Sequence, residues 1–156
     1  MKYDISLVFP VYNEDKNIKI LNKQIQSFLD SADKKIEVIF IDDGSTDNSH
    51  DILEEICKKN DFKLITNETN KGKSYSLNIG FQIAEGDIVF LIDSDLQYSL
   101  SDIDRFVKKL DNGYDVVNGW RKKRKDSFGL KLLPSMFYNF FTRFLLGPKV
   151  HDHNCG

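Results

Sequence analysis

Asp93 and Asp95 stand two residues apart, directly after the apolar run Ile88-Val89-Phe90-Leu91-Ile92. Successive side chains of an extended strand point to opposite faces, so carboxylates at this spacing point the same way. Two carboxylates at a strand end can share one hard cation. Mg2+ or Mn2+, held by few protein oxygens and completed by substrate phosphates, suits that donor set. Gln97, two residues further on, could add a neutral oxygen. An isolated D-x-D is often only a solvated turn; the strand-like run before this one favours the metal.

Other polar clusters accompany it. Asp42-Asp43-Gly44-Ser45-Thr46-Asp47 follows the run Ile36–Ile41. Its Asp, Gly and Ser residues are turn formers, and Thr46 or Asp47 could simply cap the next helix. Two adjacent acids at a buried strand end repel one another and lose solvation, so something must compensate them. A base carrying an imide N–H, such as uracil or guanine, is one such partner. Pro10-Val11-Tyr12-Asn13-Glu14 follows the first apolar run, and Tyr12 could stack on a base or sit at the rim of the core. Gly72-Lys73 could bring a backbone N–H and an ammonium to a phosphate, or be a loop with a solvated lysine. It is no P-loop, because the G-x-x-x-x-G-K-[ST] spacing is absent. Arg121 and Arg124 could neutralise a diphosphate leaving group, although five consecutive basic residues are also typical of a solvated or membrane-facing segment.

These clusters need elements to position them. Short apolar runs at Ile5–Phe9, Ile36–Ile41, Phe62–Ile65, Ile88–Ile92 and Asp115–Val117 predict five strands buried on both faces of a parallel sheet. Three- and four-residue apolar spacings predict helices between them: Ile18-Leu21-Ile25-Phe28, Leu53-Ile56, and Leu77-Phe81-Ala84 with Gly86 as its stop. A capping box at Ser101–Asp104 predicts a fourth helix. Alternating strands and helices give an α/β fold, a mostly parallel sheet flanked by helices. In such sheets ligands bind beyond the carboxyl ends of the strands, where each of these clusters falls.

Composition narrows the class. With 40% hydrophobic and 29% charged residues, the 156-residue chain is globular and large enough for one core. Residues 120–149 carry eight Lys/Arg and one acid, a stretch of +7 that leaves −9 for the remainder of a chain of net charge −2. Within it, Met136, Phe137, Phe140, Phe141, Phe144 and Leu145 form a wide apolar helical stripe after Pro134. That stripe is either an ordinary core helix or a helix lying in a membrane interface beside the basic run. No run is long enough for a transmembrane helix, and no secretory leader is expected. Cys57 and Cys155 lack metal or disulfide spacing and are expected to be free thiols in a reducing compartment.

In order, F-P-V-Y-N-E, I-D-D-G-S-T-D, N-K-G-K and D-S-D-L-Q resemble the family 2 glycosyltransferases with a GT-A (Rossmann-like) fold. The later D-L-Q, G-W-R-K-K-R-K-D and H-D-H-N-C-G segments look like the polyprenyl- or dolichyl-phosphate sugar synthase branch, although Tyr98-Ser99 stands where that branch often has His-Pro. The resemblance implies an inverting transferase over residues 1–156. It takes a UDP- or GDP-sugar, uses Mg2+ or Mn2+, and serves a polyprenyl phosphate acceptor at the cytoplasmic face of a membrane, with no nucleic-acid partner. Pro10, Tyr12, Glu14, Asp43, Lys73 and Asp93 would line the nucleotide site. Asp93, Asp95 and Gln97 would hold the metal, and Asp95, Arg121 and Arg124 would serve catalysis. Related domains run beyond Gly156, so a catalytic domain truncated at its C-terminus is expected, with residues 120–149 as an acceptor or membrane-interface region.

Two other readings keep the same site. A non-catalytic nucleotide-sugar-binding remnant would bind without turnover, and a polysaccharide-forming transferase would need a carboxylate base for a sugar hydroxyl. A dehalogenase-type phosphatase is disfavoured by Gln97 at the position two after the second Asp.

Overall fold

The computed structural model describes residues 3–119. Arg121, Arg124, the basic run, the Phe-rich stripe, Asp152 and Cys155 lie outside them. The chain divides into two compact units, Met1–Asp104 and Arg105–Gly156.

The first unit is a parallel sheet with helices on both faces. Its elements are β1 (Tyr3–Val11), α1 (Asp15–Ser31), β2 (Ile36–Asp42), α2 (Ser49–Asn60), β3 (Lys63–Thr66), α3 (Lys73–Ile83) and β4 (Gly86–Leu91). The strand order is β3-β2-β1-β4, and every pairing is parallel. Right-handed crossovers put α1 and α2 on one face as the chain steps from β1 to β3, and α3 on the other as it returns to β4. A turn of 3-10 helix, Leu100–Asp102, leads into α4 (Ile103–Leu110), the predicted fourth helix, and Ser101 Oγ lies 2.7 Å from Ser99 Oγ. In the second unit α4 ends in a turn, with the Gly113 N–H donating to the Leu110 carbonyl at 2.9 Å.

Alternation along the central strands builds two cores. Val8, Ile39 and Ile41 face α3 and pack with Leu77, Ile79, Ile83, Val89 and Leu91. The residues between them, including Phe9 and Phe40, face the other layer, where the two rings stack at 5.3 Å. Ile18, Leu21 and Ile25 of α1 and Leu53 and Ile56 of α2 are buried, as their spacing predicts. Gly80 lets α3 approach the sheet closely: a Cβ there would lie 2.3 Å from a Val8 methyl.

Several sequence expectations fail, among them the Leu77-Phe81-Ala84 stripe, whose Phe81 is 52% exposed, and the two-sided burial of β3, whose Ile65 and Thr66 are exposed. Asp115–Val117 forms no strand among the described residues, and Val116 is 81% exposed. Among the described residues no layer covers this three-residue run, and without one it gains too little burial to fix an extended conformation. Gly86 does not stop α3, whose C-cap is Ala84; it opens β4, where a Cβ would lie 2.6 Å from the Ser6 nitrogen. Its lack of a side chain serves strand contact instead of helix termination.

At the amino edge of the sheet one buried carboxylate ties the strands together. Glu37 on β2 is 4% exposed. It accepts hydrogen bonds from Ser6 Oγ of β1 at 2.5 Å and from the Glu85 N–H before β4 at 3.0 Å, and it pairs with Lys63 of β3. Burial alone would push its carboxyl up. The Glu85 N–H, Lys63 and Ser6 outweigh burial and hold it below its ordinary value. A group with a depressed folded value stabilises the native state above the unfolded value, about 4.5, and that contribution is lost as pH falls through the folded value. Glu37→Gln is expected to cost about 2 kcal/mol at neutral pH and to flatten the loss of stability below pH 4.5. Urea titrations across pH 3–7 read both effects; an unchanged acid slope would show that Glu37 does not carry this linkage.

Candidate active site at the carboxyl edge of the sheet

The opposite edge is where β1, β2 and β4 end in loops that surround a cavity of about 330 Å3. Pro10, Val11, Tyr12 and Glu14 come from the end of β1 and its loop, and Asp43 from the end of β2. Asn70, Gly72 and Lys73 come from the entry to α3, and Asp93, Ser94 and Asp95 from the end of β4. The lining carries four carboxylates and one ammonium, so its field favours cations.

The first two loops are bonded to each other. Asn13, in the left-handed region at φ 56, accepts the Thr46 N–H on its Oδ1 at 2.8 Å and donates its own N–H to Ser45 Oγ at 3.1 Å. The Glu14 N–H donates to Ser49 Oγ at 2.8 Å. Asp47 accepts the Ser49 N–H at 2.9 Å and the Asp15 N–H at 3.3 Å, so one carboxylate serves the first residues of both α1 and α2. Burial pushes the Asp47 carboxyl up, and the Ser49 hydroxyl and these N–H groups bring it below its usual value.

The adjacent acids are compensated separately. Asp42, 1% exposed, accepts the Ser45 N–H at 3.0 Å and faces His50 Nδ1 at 3.0 Å. Asp43, 3% exposed, accepts from Asn67 Nδ2 at 2.8 Å, from the Lys71 N–H at 3.0 Å and from the Gly72 N–H at 2.8 Å. Burial pushes its carboxyl up, but the Lys71 N–H, Asn67, the Gly72 N–H and Ser76 hold it down, so it is ionised at neutral pH. Gly44 between the loops is at φ +68, and a Cβ there would lie 2.6 Å from the Thr69 carbonyl carbon. The D-D-G-S sequence thus lets the β2 and β3 loops touch backbone to backbone.

The β4 loop follows the strand pleat as far as Asp95. Ser94 is buried and donates to the Pro10 carbonyl at 3.0 Å, while Asp93 and Asp95 on either side line the cavity. Asp95 Oδ1 accepts the Gln97 N–H at 3.0 Å, and Leu96 takes φ 63. That left-handed residue breaks the two-residue alternation. Gln97 consequently lines a second groove along α1 instead of the cavity holding Asp93 and Asp95. Lys73 Nζ contacts Asp93 Oδ1 at 2.5 Å.

A family model described as glycosyl transferase family 2 matches residues 6–156. The chain belongs to that family. An undecaprenyl-phosphate 4-deoxy-4-formamido-L-arabinose transferase of Pseudomonas syringae pv. syringae (strain B728a) is 33% identical over 153 residues, which is 97% of this chain and 45% of the relative. The chain therefore spans about half the length of the curated relatives it matches. Among solved structures, S. aureus TarS 1-349 in complex with UDP-GlcNAc aligns at TM-score 0.55 and 29% identity, covering 79% of this chain and 39% of that one. The mannosyltransferase PcManGT from Pyrobaculum calidifontis, in complex with GDP-Man and Mn2+, aligns at TM-score 0.60 and 25% identity, covering 70% and 33%. The parallel α/β sheet of this glycosyl transferase family 2 chain is a GT-A fold.

Pro10, Tyr12, Glu14, Asp43, Lys73, Asp93 and Asp95 all line this cavity; Gln97 lines the second groove, and Arg121 and Arg124 lie outside the described residues. Asn67 and Ser94 are site residues that the motifs did not reveal. The acid pair signalled that a donor was needed, but no local pattern pointed to an asparagine 24 positions away. Cys57 is free and buried, its thiol pushed up to about 12 by burial, which disfavours the thiolate.

Asp43→Asn would turn an amide, half of it a donor, toward two backbone N–H groups. It is expected to cost about 2–3 kcal/mol and to accelerate hydrogen exchange at Lys71 and Gly72 ahead of the sheet. Unchanged protection at those two amides would show that the carboxylate does not hold the loop.

Proposed function

We propose that this chain binds a nucleotide-diphosphate sugar through a divalent cation and forms the donor-binding part of an inverting glycosyltransferase whose acceptor is a polyprenyl phosphate. The observation that carries the reading is the pair Asp93 and Asp95 in a cavity lined by four carboxylates and a single lysine. A diphosphate entering that field is repelled unless a cation accompanies it. The donors are hard carboxylate oxygens with substrate phosphates to complete the shell, which fits Mg2+ or Mn2+. Support for the donor comes from the UDP-GlcNAc and GDP-Man complexes, for the metal from the Mn2+ in one of them, and for the acceptor from the undecaprenyl-phosphate transferase.

Asp93 and Asp95 would hold the cation, which supplies charge neutralisation at the departing diphosphate. Tyr12, 44% exposed at the cavity wall, offers a ring face to the base. Asp43, ionised at the cavity wall, offers a carboxylate acceptor to an imide N–H of uracil or guanine. Pro10 and Glu14 complete the wall on the nucleotide side. Lys73, with Arg121 and Arg124, would stabilise negative charge on the leaving group. Attack from the opposite face inverts the anomeric centre. A lipid phosphate oxygen is already anionic near neutral pH, so such an acceptor requires no strong general base.

A thermal-shift panel of UDP- and GDP-sugars tests the donor. At about 100 times Kd, a ligand specific for the native state adds about 2.7 kcal/mol, several degrees for a chain of this size. The shift is expected with Mn2+, absent with EDTA and absent in Asp95→Asn. A metal-independent shift would refute the cation reading. Donor hydrolysis lost in Asp95→Asn would mark catalysis; binding without turnover would mark a binding remnant.

The membrane contact rests on residues 121–125 and the Phe-rich stripe. No helix among the described residues is long and apolar enough to cross a membrane. A cytoplasmic membrane face would be reached through the basic run, at roughly 1 kcal/mol per basic residue near anionic lipid. Wild-type chain is expected to float with anionic vesicles, and a variant with all five basic residues neutralised to stay behind. Failure of both to float would remove the membrane role.

A further inference from the structure

Lys73 is the first residue of α3, held at the cavity by the loop that Asp43 grips, and its ammonium contacts Asp93. The contact is only half protected: the lysine side chain is 44% exposed and that of Asp93 is 21% exposed. Such a pair is worth little and separates readily. It nonetheless puts a monovalent cation on one of the two carboxylates that a divalent cation would need. Asp95 is engaged differently, accepting the Gln97 N–H on Oδ1.

We propose that Lys73 is a resident counter-ion for Asp93 that a divalent cation displaces, and that the displaced ammonium then serves the donor diphosphate. This rests on the donor-binding reading above. Charge decides the direction. With Lys73 on Asp93, the cavity is partly neutralised and the two acids are held together without metal. An incoming divalent cation cannot share Asp93 with an ammonium at contact distance without strong repulsion, so the lysine swings away on its flexible stem. The diphosphate that follows the metal is the nearest anion able to receive it. Lys73 therefore weakens metal binding alone and strengthens nucleotide binding once metal is present. Neutralising it moves the two affinities in opposite directions, whereas loss of a purely structural lysine weakens both.

The test titrates Mn2+ alone into the full chain, following loss of the free-ion electron paramagnetic resonance signal, and then titrates UDP and GDP at saturating Mn2+. Lys73→Met is expected to bind Mn2+ about three- to tenfold more tightly and the nucleoside diphosphate more weakly by a similar factor. Lys73→Arg, which keeps the charge, should retain near wild-type metal affinity. Lys58→Met, on the exposed face of α2, controls for net charge and should change neither constant. Wild-type chain that binds neither Mn2+ nor nucleotide would overturn the donor-site reading itself. Wild-type chain that binds both, with Lys73→Met binding Mn2+ no tighter, would overturn the counter-ion role alone.

Discussion

A carboxylate at 3% exposure must be solvated by the protein, and Asp43 is solvated by the backbone of the loop forming another wall of the cavity. That exchange of water for N–H groups fixes much of the site. The Lys71 and Gly72 N–H groups can reach Asp43 only because Gly44 has no side chain to separate the loops. Once they do, α3 starts at Lys73 beside the end of β4, and an ammonium stands next to Asp93. The acid of D-D-G-S is thus an organiser of two loops, and a nucleotide base bound as proposed would find it already oriented.

The sheet has a second buried acid at its other end. Glu37 ties the starts of the strands as Asp43 ties the loops after them, but their surroundings differ. Glu37 is met by a hydroxyl, an N–H and the Lys63 ammonium, which neutralises it within the fold; Lys63 is raised to about 12, chiefly by Glu37 and then Glu85. At the carboxyl edge the acids outnumber the ammonium in the cavity. One edge pairs its buried acid with an ammonium inside the fold, and the other leaves an excess of negative charge that an external cation can satisfy. This asymmetry, more than the cavity's size, distinguishes the functional edge.

Much of this was legible in local sequence. The central strands, the helix faces of α1 and α2 and the order of loops followed from apolar periodicity, because these elements are buried on the faces the pattern specifies. The Asp93–Asp95 pair was legible because the pleat persists through Ser94. Legibility ended where long-range contacts decide. Leu96 turned Gln97 away through a left-handed conformation that a leucine gives no reason to expect. Asn67 reaches Asp43 from 24 residues away. Gly86 reads as a helix stop but leaves room for the Ser6 backbone instead. Asp115–Val117 has a strand composition but no covering layer among the described residues.

The loss of Gln97 from the cavity bears on how tightly a cation can be held. Among the described residues no group of three or more acidic, histidine or cysteine side chains is placed to bind a metal. Two carboxylates, one already in contact with Lys73, make a weak site for an ion that prefers six oxygens. Were a cation held there as proposed, its remaining ligands would come from water or from the phosphates of the donor. In the donor site proposed above, affinity for the metal would depend on the nucleotide, and affinity for the nucleotide on the metal, by the reciprocity that any linked pair of ligands obeys. A site built this way would gain little occupancy from either ligand alone and would assemble as a unit, with the diphosphate neutralised as it arrives.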